Sequence, residues 1–266
     1  MNEIYNDIKL RLNIDFNEDD IHVFDEGKTD AYVFSIKDEY LIKSSTKQEL
    51  DVFKEFFSDN KSDYFQKLYY INYELSYVCL SFLKGNKFNE VNDVDYLINT
   101  FYEITSNYKP FNYEGFGYLY DDHKRWSEFL RDEVDYSTKM IEGEPIDINP
   151  VYKAIKVIDK YNIDQYLIHG DFGTHNFIMN ENKLYVIDPM GVVGDPLYDF
   201  YFAIFSDSDI YTKVDFNDLL KYFDKSIEYK MNLMIILFYI RLCRTYKYDK
   251  PTYPIYVEYF NKLTKE

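Results

Sequence analysis

The fold is decided by the stretch His169-Gly170-Asp171-Phe172-Gly173-Thr174-His175-Asn176, which follows the apolar run Tyr166-Leu167-Ile168. An apolar run that ends in a glycine-containing polar turn predicts a short strand followed by a loop. The Asp171 carboxylate then lies on the loop at the end of that strand, and Asn176 follows it by five positions. The spacing predicts a loop that carries a carboxylate and a carboxamide in a defined arrangement.

The residues after this loop predict a β-hairpin. Two arms of alternating apolar character flank turn-forming residues at 180–183. If Asn180 pairs with Lys183, the register carries Asn176 and Asp188 to the open end of the hairpin. One oxygen ligand from each arm at that place suits Mg²⁺, which takes few protein ligands and completes its sphere with water and phosphate oxygens.

Together these groups fit phosphoryl transfer, in which the protein mainly positions the reactants and neutralises charge. The reaction needs a carboxylate beside the attacking hydroxyl, ligands for magnesium and a cation on the nucleotide phosphates. The separation between Asp171 and Asn176 is the one found between the base and the metal-binding Asn of the kinase catalytic loop. We therefore expect an enzyme that uses ATP, or another nucleoside triphosphate, and Mg²⁺.

The run from His169 to Phe200 resembles the aminoglycoside phosphotransferase family of kinase-fold enzymes, whose relatives include choline, fructosamine and methylthioribose kinases. The matching elements are the H-G-D with its Asn, the I-D-P at 187–189 and the G-D-P-L-Y-D-F at 194–200. These elements are specific only in combination. The resemblance implies a bilobal, protein-kinase-like fold and a phosphotransferase acting on a small molecule.

Residue by residue, the resemblance implies Asp171 as the catalytic base and Asn176 and Asp188 as the magnesium ligands. It implies Asp195 as a structural brace near the catalytic loop. Asp195 followed by Pro is also typical of a helix N-cap, and we favour that role over a direct catalytic one. We expect His169, at the strand end, to pack beside the loop as a structural group.

In the N-terminal part the resemblance depends on the order of elements. Lys43 stands where the family has a strand lysine on the α- and β-phosphates, and Glu49 on the next helix is its implied partner. Lys37 and Lys47 remain alternatives to the lysine, and Glu55 remains an alternative to the glutamate.

The phosphate loop is expected at 26–30, with backbone N–H groups around Gly27 and the Thr29 hydroxyl near the phosphates. This segment has one glycine and no GxGxxG pattern. The hinge that would bind adenine through backbone atoms is expected near Ser81 and Leu83.

The periodicity of the chain changes near residue 84, which predicts an α+β architecture. A β-rich N-lobe, a small antiparallel sheet with one helix, is expected over 1–84. A mainly helical C-lobe with the catalytic loop, magnesium site and acceptor-binding helices is expected over 85–266. The predicted strands are 21–24, 31–36, 40–43, 67–72, 74–83 and 166–168, and the predicted helices are 46–57, 93–107, 118–140 and 150–161, with further helices from Pro196 onward.

Composition excludes several classes of function. The chain has 30 Lys and Arg against 47 Asp and Glu, a net charge of −17, which would repel nucleic acid. An acidic protein can instead concentrate a cationic substrate, although acidity also simply favours solubility. Cys79 and Cys243 form no CxxC pair, and the apolar run Leu233–Ile240 is too short to span a membrane. With no signal-peptide pattern at the N-terminus, a cytoplasmic enzyme is expected.

The acceptor is expected to be small, because Asp195 follows Asp188 by only seven positions and leaves little room for a peptide-docking segment. A cationic aminoglycoside antibiotic, which would imply antibiotic resistance, is the favoured acceptor, and a metabolite such as an amine alcohol or a sugar is the alternative. A catalytically inactive kinase-like binding protein and a metallohydrolase using His169, Asp171 and His175 are the rival classes. Candidate acidic residues for a cationic acceptor are Asp132, Glu133, Asp135, Asp207, Asp209 and Glu228.

Overall fold

The computed structural model describes residues 2–24, 31–88, 93–181 and 183–265. Its α-helices are α1 (Asn2–Leu12), α2 (Lys47–Asp59), α3 (Val94–Ser106), α4 (Trp126–Thr138), α5 (Asn149–Ile158), α6 (Pro196–Phe205), α7 (Ser208–Tyr211), α8 (Ile227–Tyr248) and α9 (Tyr253–Leu263). Its strands are β1 (Ile21–Phe24), β2 (Val33–Ile36), β3 (Tyr40–Ser44), β4 (Leu68–Asn72), β5 (Tyr77–Ser81), β6 (Asn86–Lys87), β7 (Gly117–Tyr118), β8 (Tyr166–Ile168), β9 (Phe177–Asn180), β10 (Lys183–Val186) and β11 (Val192–Gly194).

The chain forms two compact units. The first comprises Met1–Phe88 and Phe177–Pro189, and the second comprises Asn89–Asn176 and Met190–Glu266. The first is built on an antiparallel sheet in the order β1-β2-β3-β5-β4, and the second is mostly helical. The prediction of an α+β chain with a β-rich first part is confirmed.

Strand β5 is shorter than the predicted 74–83, because residues 73–76 form the turn that reverses the chain. Ser76 has a left-handed φ of 53° in this turn, a conformation that a regular strand does not contain. The strand therefore starts at Tyr77, which is fully buried.

The first unit contains a helix that the sequence analysis did not predict. Helix α1 buries Ile8 against a core that includes Phe34 and Ile36. From the same helix, Asp7 accepts hydrogen bonds from the Asn72 amide at 2.8 Å and from the Tyr77 hydroxyl. Charged and amide residues interrupt the apolar positions of α1, so contacts with the sheet stabilise it more than its own amphipathicity does.

The hairpin β9–β10 has the predicted register, from Lys183 opposite Asn180 to Val186 opposite Phe177. It belongs to the first unit, whereas a single division at residue 84 assigns it to the C-lobe. The physical reason is its hydrogen bonding, because β9 pairs with β6 and the Val186 N–H donates to the Tyr64 carbonyl at 2.8 Å.

The second unit surrounds helix α6, all of whose residues are buried. A small sheet in the order β7-β11-β8 lies in this unit. The predicted helix over 118–140 begins only at Trp126, because Gly117 and Tyr118 pair with β11 instead. Within the described part of the chain, none of the helices combines the length and apolar character needed to cross a membrane.

Candidate active site

The loop from His169 to Asn176 follows β8, as the sequence predicts. Its first residue is fixed by backbone bonds, because the His169 carbonyl accepts from Met190 N–H at 2.9 Å and from Gly191 N–H at 3.1 Å. Gly170 has a φ of +80°, and a Cβ there would lie 2.5 Å from the Val192 Cγ2 atom. The H-G-D glycine is therefore required both for a left-handed turn and for close approach to β11.

The loop is held from inside the unit by Asp199. Its carboxylate accepts hydrogen bonds from His169 N–H at 2.7 Å, from Gly170 N–H at 3.0 Å and from the Tyr108 hydroxyl at 2.9 Å. Burial raises the pKa of Asp199 to about 7, although these three bonds favour the ionised form. The side chain that braces the loop is therefore Asp199.

Asp195, which was expected as that brace, caps α6 instead. One of its oxygens accepts from Leu197 N–H at 3.0 Å, and the other accepts from the Tyr229 hydroxyl at 2.7 Å and pairs with Lys225 at 3.1 Å. The N-cap role favoured from the Asp-Pro sequence is what the structure shows. The role of Asp199 was not predicted, although its sequence carries a signal, since it is a carboxylate on a helix that is otherwise entirely apolar or aromatic.

The Asp171 carboxylate is oriented by its own loop. Its Oδ2 atom accepts from His175 Nε2 at 2.9 Å and from Asn176 Nδ2 at 3.1 Å. Among the described residues, none donates a hydrogen bond to Oδ1, and the side chain is 22% exposed. One carboxylate oxygen is therefore held in place, while the other is available to a hydroxyl group.

Burial alone would raise the pKa of the Asp171 carboxyl. The hydrogen bond and charge of His175, with the charges of His169 and Arg244, outweigh burial and hold that pKa well below its usual range. Asp171 is therefore ionised near neutral pH. Such a carboxylate orients a hydroxyl by accepting its proton in a hydrogen bond, which is what a loose phosphoryl-transfer transition state requires.

Asn176 is fixed through its amide nitrogen, which also donates to the Asp171 carbonyl at 2.9 Å. Its Oδ1 atom has no partner among the described residues. An amide oxygen held in one orientation is the donor type that Mg²⁺ takes in proteins. Asn176 therefore fits the role of a magnesium ligand.

In the first unit, Lys43 of β3 forms an ion pair with Asp188. The Lys43 ammonium also lies 5.5 Å from the centre of the Phe53 ring. Asp188 has a φ of +63° and its side chain is 49% exposed. A non-glycine residue in the left-handed conformation costs free energy, and such residues are common at functional sites. Only one carboxylate oxygen of Asp188 pairs with Lys43, so the second can serve as a metal ligand.

Glu49 does not pair with Lys43 in this structure. Its carboxylate accepts from the Thr46 N–H at 2.7 Å and from the Thr46 hydroxyl at 3.0 Å, while Glu49 N–H donates back to that hydroxyl at 3.3 Å. This is a capping box, with Glu at the third position of α2. Glu49 therefore stabilises the start of the helix that follows the lysine strand.

The two expected hinge residues differ in their available backbone atoms. Ser81 N–H donates to the Lys67 carbonyl at 2.8 Å, and the Ser81 carbonyl accepts from Gln66 Nε2 at 2.9 Å. Within the described chain, the Leu83 N–H and carbonyl have no partner. Leu83 is therefore the better placed of the two to bind a base, whereas Gly27 and Thr29 lie outside the described residues.

A second charged cluster, of Arg244 and Glu133, lies near Asp171. Glu133 was expected from the sequence only as a candidate for binding a cationic acceptor, and its pairing with Arg244 was missed. Arg244 of α8 pairs with Glu133 of α4 at 2.7 Å, and Glu133 accepts from the Tyr118 hydroxyl at 3.2 Å. Burial raises the pKa of Glu133, against the opposing charge of Arg244. Residues so distant in sequence carry no motif that would connect them.

Comparison of whole folds gives full-length similarity to solved structures. A thermostable mutant of an aminoglycoside phosphotransferase, in a ternary complex with AMP-PNP and hygromycin B, has a TM-score of 0.65 and 13% identity, over 100% of this chain and 98% of that one. The choline kinase LicA from Streptococcus pneumoniae has a TM-score of 0.56 and 15% identity, over 99% of this chain and 98% of that one. The chain has the fold of these small-molecule kinases.

The same kinase fold occurs in an aminoglycoside phosphotransferase solved with GDP and kanamycin, at a TM-score of 0.56 and 13% identity, over 100% of this chain and 99% of that one. No protein-family model matches the sequence, and no curated protein does either. At such low identity the similarity concerns the fold, and it confirms the kinase-like fold predicted from the motif.

Proposed function

We propose that the chain is a phosphotransferase that moves the γ-phosphate of ATP, or of another nucleoside triphosphate, to a hydroxyl group of a small molecule. The observation that carries this proposal is the Asp171 carboxylate, with one oxygen held by His175 and Asn176 and the other available. The kinase fold supports it, because the similar structures include proteins solved with an ATP analogue or GDP.

In the proposed reaction, the acceptor hydroxyl lies against the available oxygen of Asp171. The bond between the acceptor oxygen and the γ-phosphorus forms while the bond from that phosphorus to the bridging oxygen breaks, so ADP leaves. The hydroxyl proton passes to Asp171 and then to solvent. Asp171 contributes mainly by orienting the hydroxyl, because its pKa is held low.

We assign the nucleotide-binding groups from the charge of Lys43, which pairs with Asp188, and from the unbonded oxygen and backbone atoms of the other residues. Lys43 would neutralise the phosphates, and the Leu83 backbone would bind the base. Asn176 and Asp188 would each give an oxygen to Mg²⁺, which when bound would neutralise charge on the phosphates. We keep Gly27 and Thr29 as proposed phosphate-loop residues on the sequence argument alone.

A small acceptor is favoured over a protein. The residues between Asp188 and Asp195 include β11, which pairs on both sides with β7 and β8. Because this segment is paired within a sheet, it cannot also serve as an activation segment that docks a peptide. This observation supports the expectation of a small molecule from the short spacing.

Two classes of acceptor are each supported by a different observation. A cationic aminoglycoside is supported by the net charge of −17 and by the hygromycin B and kanamycin in the similar structures. A metabolite is supported because most of the candidate acidic side chains already have protein partners and are not free to bind a cation. Asp132 contacts His123, Glu133 contacts Arg244, Asp135 contacts Tyr152, Asp207 caps α7 and Glu228 contacts Tyr161.

A metallohydrolase is disfavoured by the way the loop uses its histidines. His169 is buried and its Nδ1 atom accepts from the Asp171 N–H at 3.3 Å, while His175 donates to the Asp171 carboxylate. His169 therefore holds the backbone of Asp171, and His175 holds its carboxylate.

The proposal is tested by a coupled assay of ADP release over aminoglycosides, choline-like alcohols, sugars and hydroxy acids, with Mg²⁺ present. We expect acceptor-dependent ADP release that Asp171→Asn lowers at least ~10²-fold, with one phosphorylated product identified by mass spectrometry. Tight nucleotide binding without acceptor-dependent release in any class would instead support an inactive kinase-like protein. Phosphatase activity that needs Mg²⁺ but no ATP would support the hydrolase.

A further inference from the structure

Two arginines of α8 lie beside the loop that carries Asp171. The guanidinium carbons of Arg241 and Arg244 lie 5.0 Å and 5.3 Å from the centre of the buried Phe202 ring. The edge of the same ring lies against the loop, since a Cβ built on Gly173 would lie 3.3 Å from Phe202 Cε1. One aromatic ring therefore lies next to both guanidinium groups and the loop that carries Asp171.

A second contact ties Arg241 to the same loop through Ser206. The Ser206 hydroxyl oxygen accepts from Thr174 N–H at 3.0 Å, and its carbonyl accepts from Arg241 Nη2 at 3.3 Å. Thr174 follows Asp171 by three positions. Arg241 is therefore anchored to the segment that holds the catalytic carboxylate.

The two guanidinium groups differ in their partners. Arg244 pairs with Glu133 at 2.7 Å. For Arg241, no carboxylate of the described chain lies within ion-pair distance, and its buried Nε–H has no acceptor. The nearby Asp207 already accepts from Asp209 N–H at 2.8 Å. Arg241 is therefore a guanidinium without a paired carboxylate next to the loop.

A purely structural role accounts for only part of this arrangement. Ser206 is the C-cap of α6, so Arg241 lies at the end of the helix where a cation is favourable, and the Phe202 ring adds a cation–π contact. The Ser206 carbonyl and the Tyr256 hydroxyl occupy part of a guanidinium that has several N–H groups, and the Nε–H keeps no acceptor. Burial lowers the pKa of Arg241, and a partly buried cation with a free donor favours an anion as its partner.

Resting on the proposed phosphotransferase function, we propose that Arg241 binds an anionic group, a carboxylate or a phosphate, of the acceptor molecule. The planar guanidinium fork matches both groups. Arg241 is half-buried and the Arg244 side chain is 19% exposed, so both reach solvent. The acceptor class that this geometry favours is an alcohol bearing a carboxylate or phosphate, and a polycation would meet the unpaired charge of Arg241 here.

The test compares matched acceptors that differ in the anionic group. We would measure ADP release with glycerate against glycerol, gluconate against glucose, and homoserine against homoserinol, with kanamycin as the polycation and glycerol 3-phosphate as the phosphate arm. The anionic members should give kcat/KM at least about tenfold above their partners. For the anionic acceptors, Arg241→Met should lower kcat/KM by roughly 10–100-fold through a higher KM, which is the effect of losing a charged hydrogen bond. Arg241→Lys should lower it less.

The control variant is Arg131→Met, because Arg131 also lies over an aromatic ring, 5.9 Å from the centre of Tyr152, but on the exposed surface of α4. It should leave every acceptor unchanged. Equal activity with charged and neutral partners, or kanamycin as the best acceptor, would overturn the proposal while leaving the phosphotransferase function intact.

A binding measurement separates this proposal from the proposed function. The melting temperature of the wild type should rise with sodium glycerate, gluconate or inorganic phosphate at constant ionic strength, and this rise should be lost in Arg241→Met but kept in Arg131→Met. An equal rise in wild type and Arg241→Met, or no rise with any anion, would overturn the anion site. Anion-dependent stabilisation without any ADP release would instead overturn the phosphotransferase function alone.

Discussion

The Asp199 carboxylate accepts a hydrogen bond from the backbone N–H of His169 at 2.7 Å, across thirty residues of sequence. The loop that presents Asp171 is therefore positioned from within the helical unit. Because Asp199 is fully buried, this contact links the geometry of the loop to the protonation of one interior carboxyl.

A pH-dependent stability difference follows for Asp199→Asn. The pKa of Asp199 is raised from 3.8 to about 7, so between those values the unfolded chain loses the proton before the folded chain does. The stability that the protonated form contributes is complete below about pH 4 and is lost as the pH rises through 7. The variant lacks this titration. As the pH rises from 4 to above 7, the wild type should therefore lose a few kcal/mol of unfolding free energy relative to the variant, at about 1.4 kcal/mol per pKa unit.

Urea unfolding at several pH values from 4.5 to 8 measures the gap in unfolding free energy between wild type and variant. Tyr108→Phe is the matched comparison, because it removes a hydrogen bond that favours ionised Asp199 and should move the transition to higher pH. A gap that stays constant with pH would contradict the raised pKa.

Sequence reasoning predicted the parts of the fold that depend on local pattern. The strand before His169 and the register of the hairpin from Phe177 to Val186 are as expected, because alternation and turn residues determine both. Helix α1 was missed because the sheet, and not its own periodicity, stabilises it.

For the site, the motif predicts Asp171 as the base and Asn176 as a metal ligand; these roles stay predictions, and the structure shows that the two side chains are in contact. The motif did not identify Asp199 as the brace, because the Asp-Pro pair at 195–196 is a stronger sequence signal than the lone Asp inside an apolar helix. Nor could it predict that Arg241 lies near the loop, because that placement depends on packing of α8 against α6.

We predict that His175→Gln shifts the acid limb of the activity profile to higher pH. The pKa of Asp171 is held low, against burial, by the hydrogen bond and charge of His175, so removing that ring raises it. The pH dependence of kcat/KM from ADP release measures the shift. His123→Gln, which removes a histidine bonded to Asp132, should leave the profile unchanged, and coincident profiles for wild type and His175→Gln would argue against this role.

Asp188→Asn and Asn176→Ala should each raise the Mg²⁺ concentration required for half-maximal activity by about 10–100-fold, or abolish activity. Asn is chosen at 188 because it tolerates the left-handed φ of +63° better than Ala does. The control is Glu181→Asn, at an exposed turn residue with φ of +53°. Full activity of Asp188→Asn at unchanged Mg²⁺ would remove Asp188 from the proposed metal site.

Glu49→Ala and Lys43→Met should separate helix capping from nucleotide binding. Loss of the capping box should lower the unfolding free energy by about 1 kcal/mol with little change in KM for ATP. Lys43→Met should raise KM for ATP at least about tenfold, because a phosphate-binding charge is lost. If Glu49→Ala raised KM as much as Lys43→Met, Glu49 would be the partner of the lysine during nucleotide binding.

The central claim concerns Asp171, and Asp171→Asn tests it most directly. The variant keeps the size of the side chain but removes the charge that His175 and Asn176 hold in place. With the best acceptor, turnover measured by ADP release should fall at least ~10²-fold, while nucleotide affinity measured by calorimetry stays within about twofold. Unchanged turnover, with nucleotide affinity equal to that of the wild type, would contradict the account.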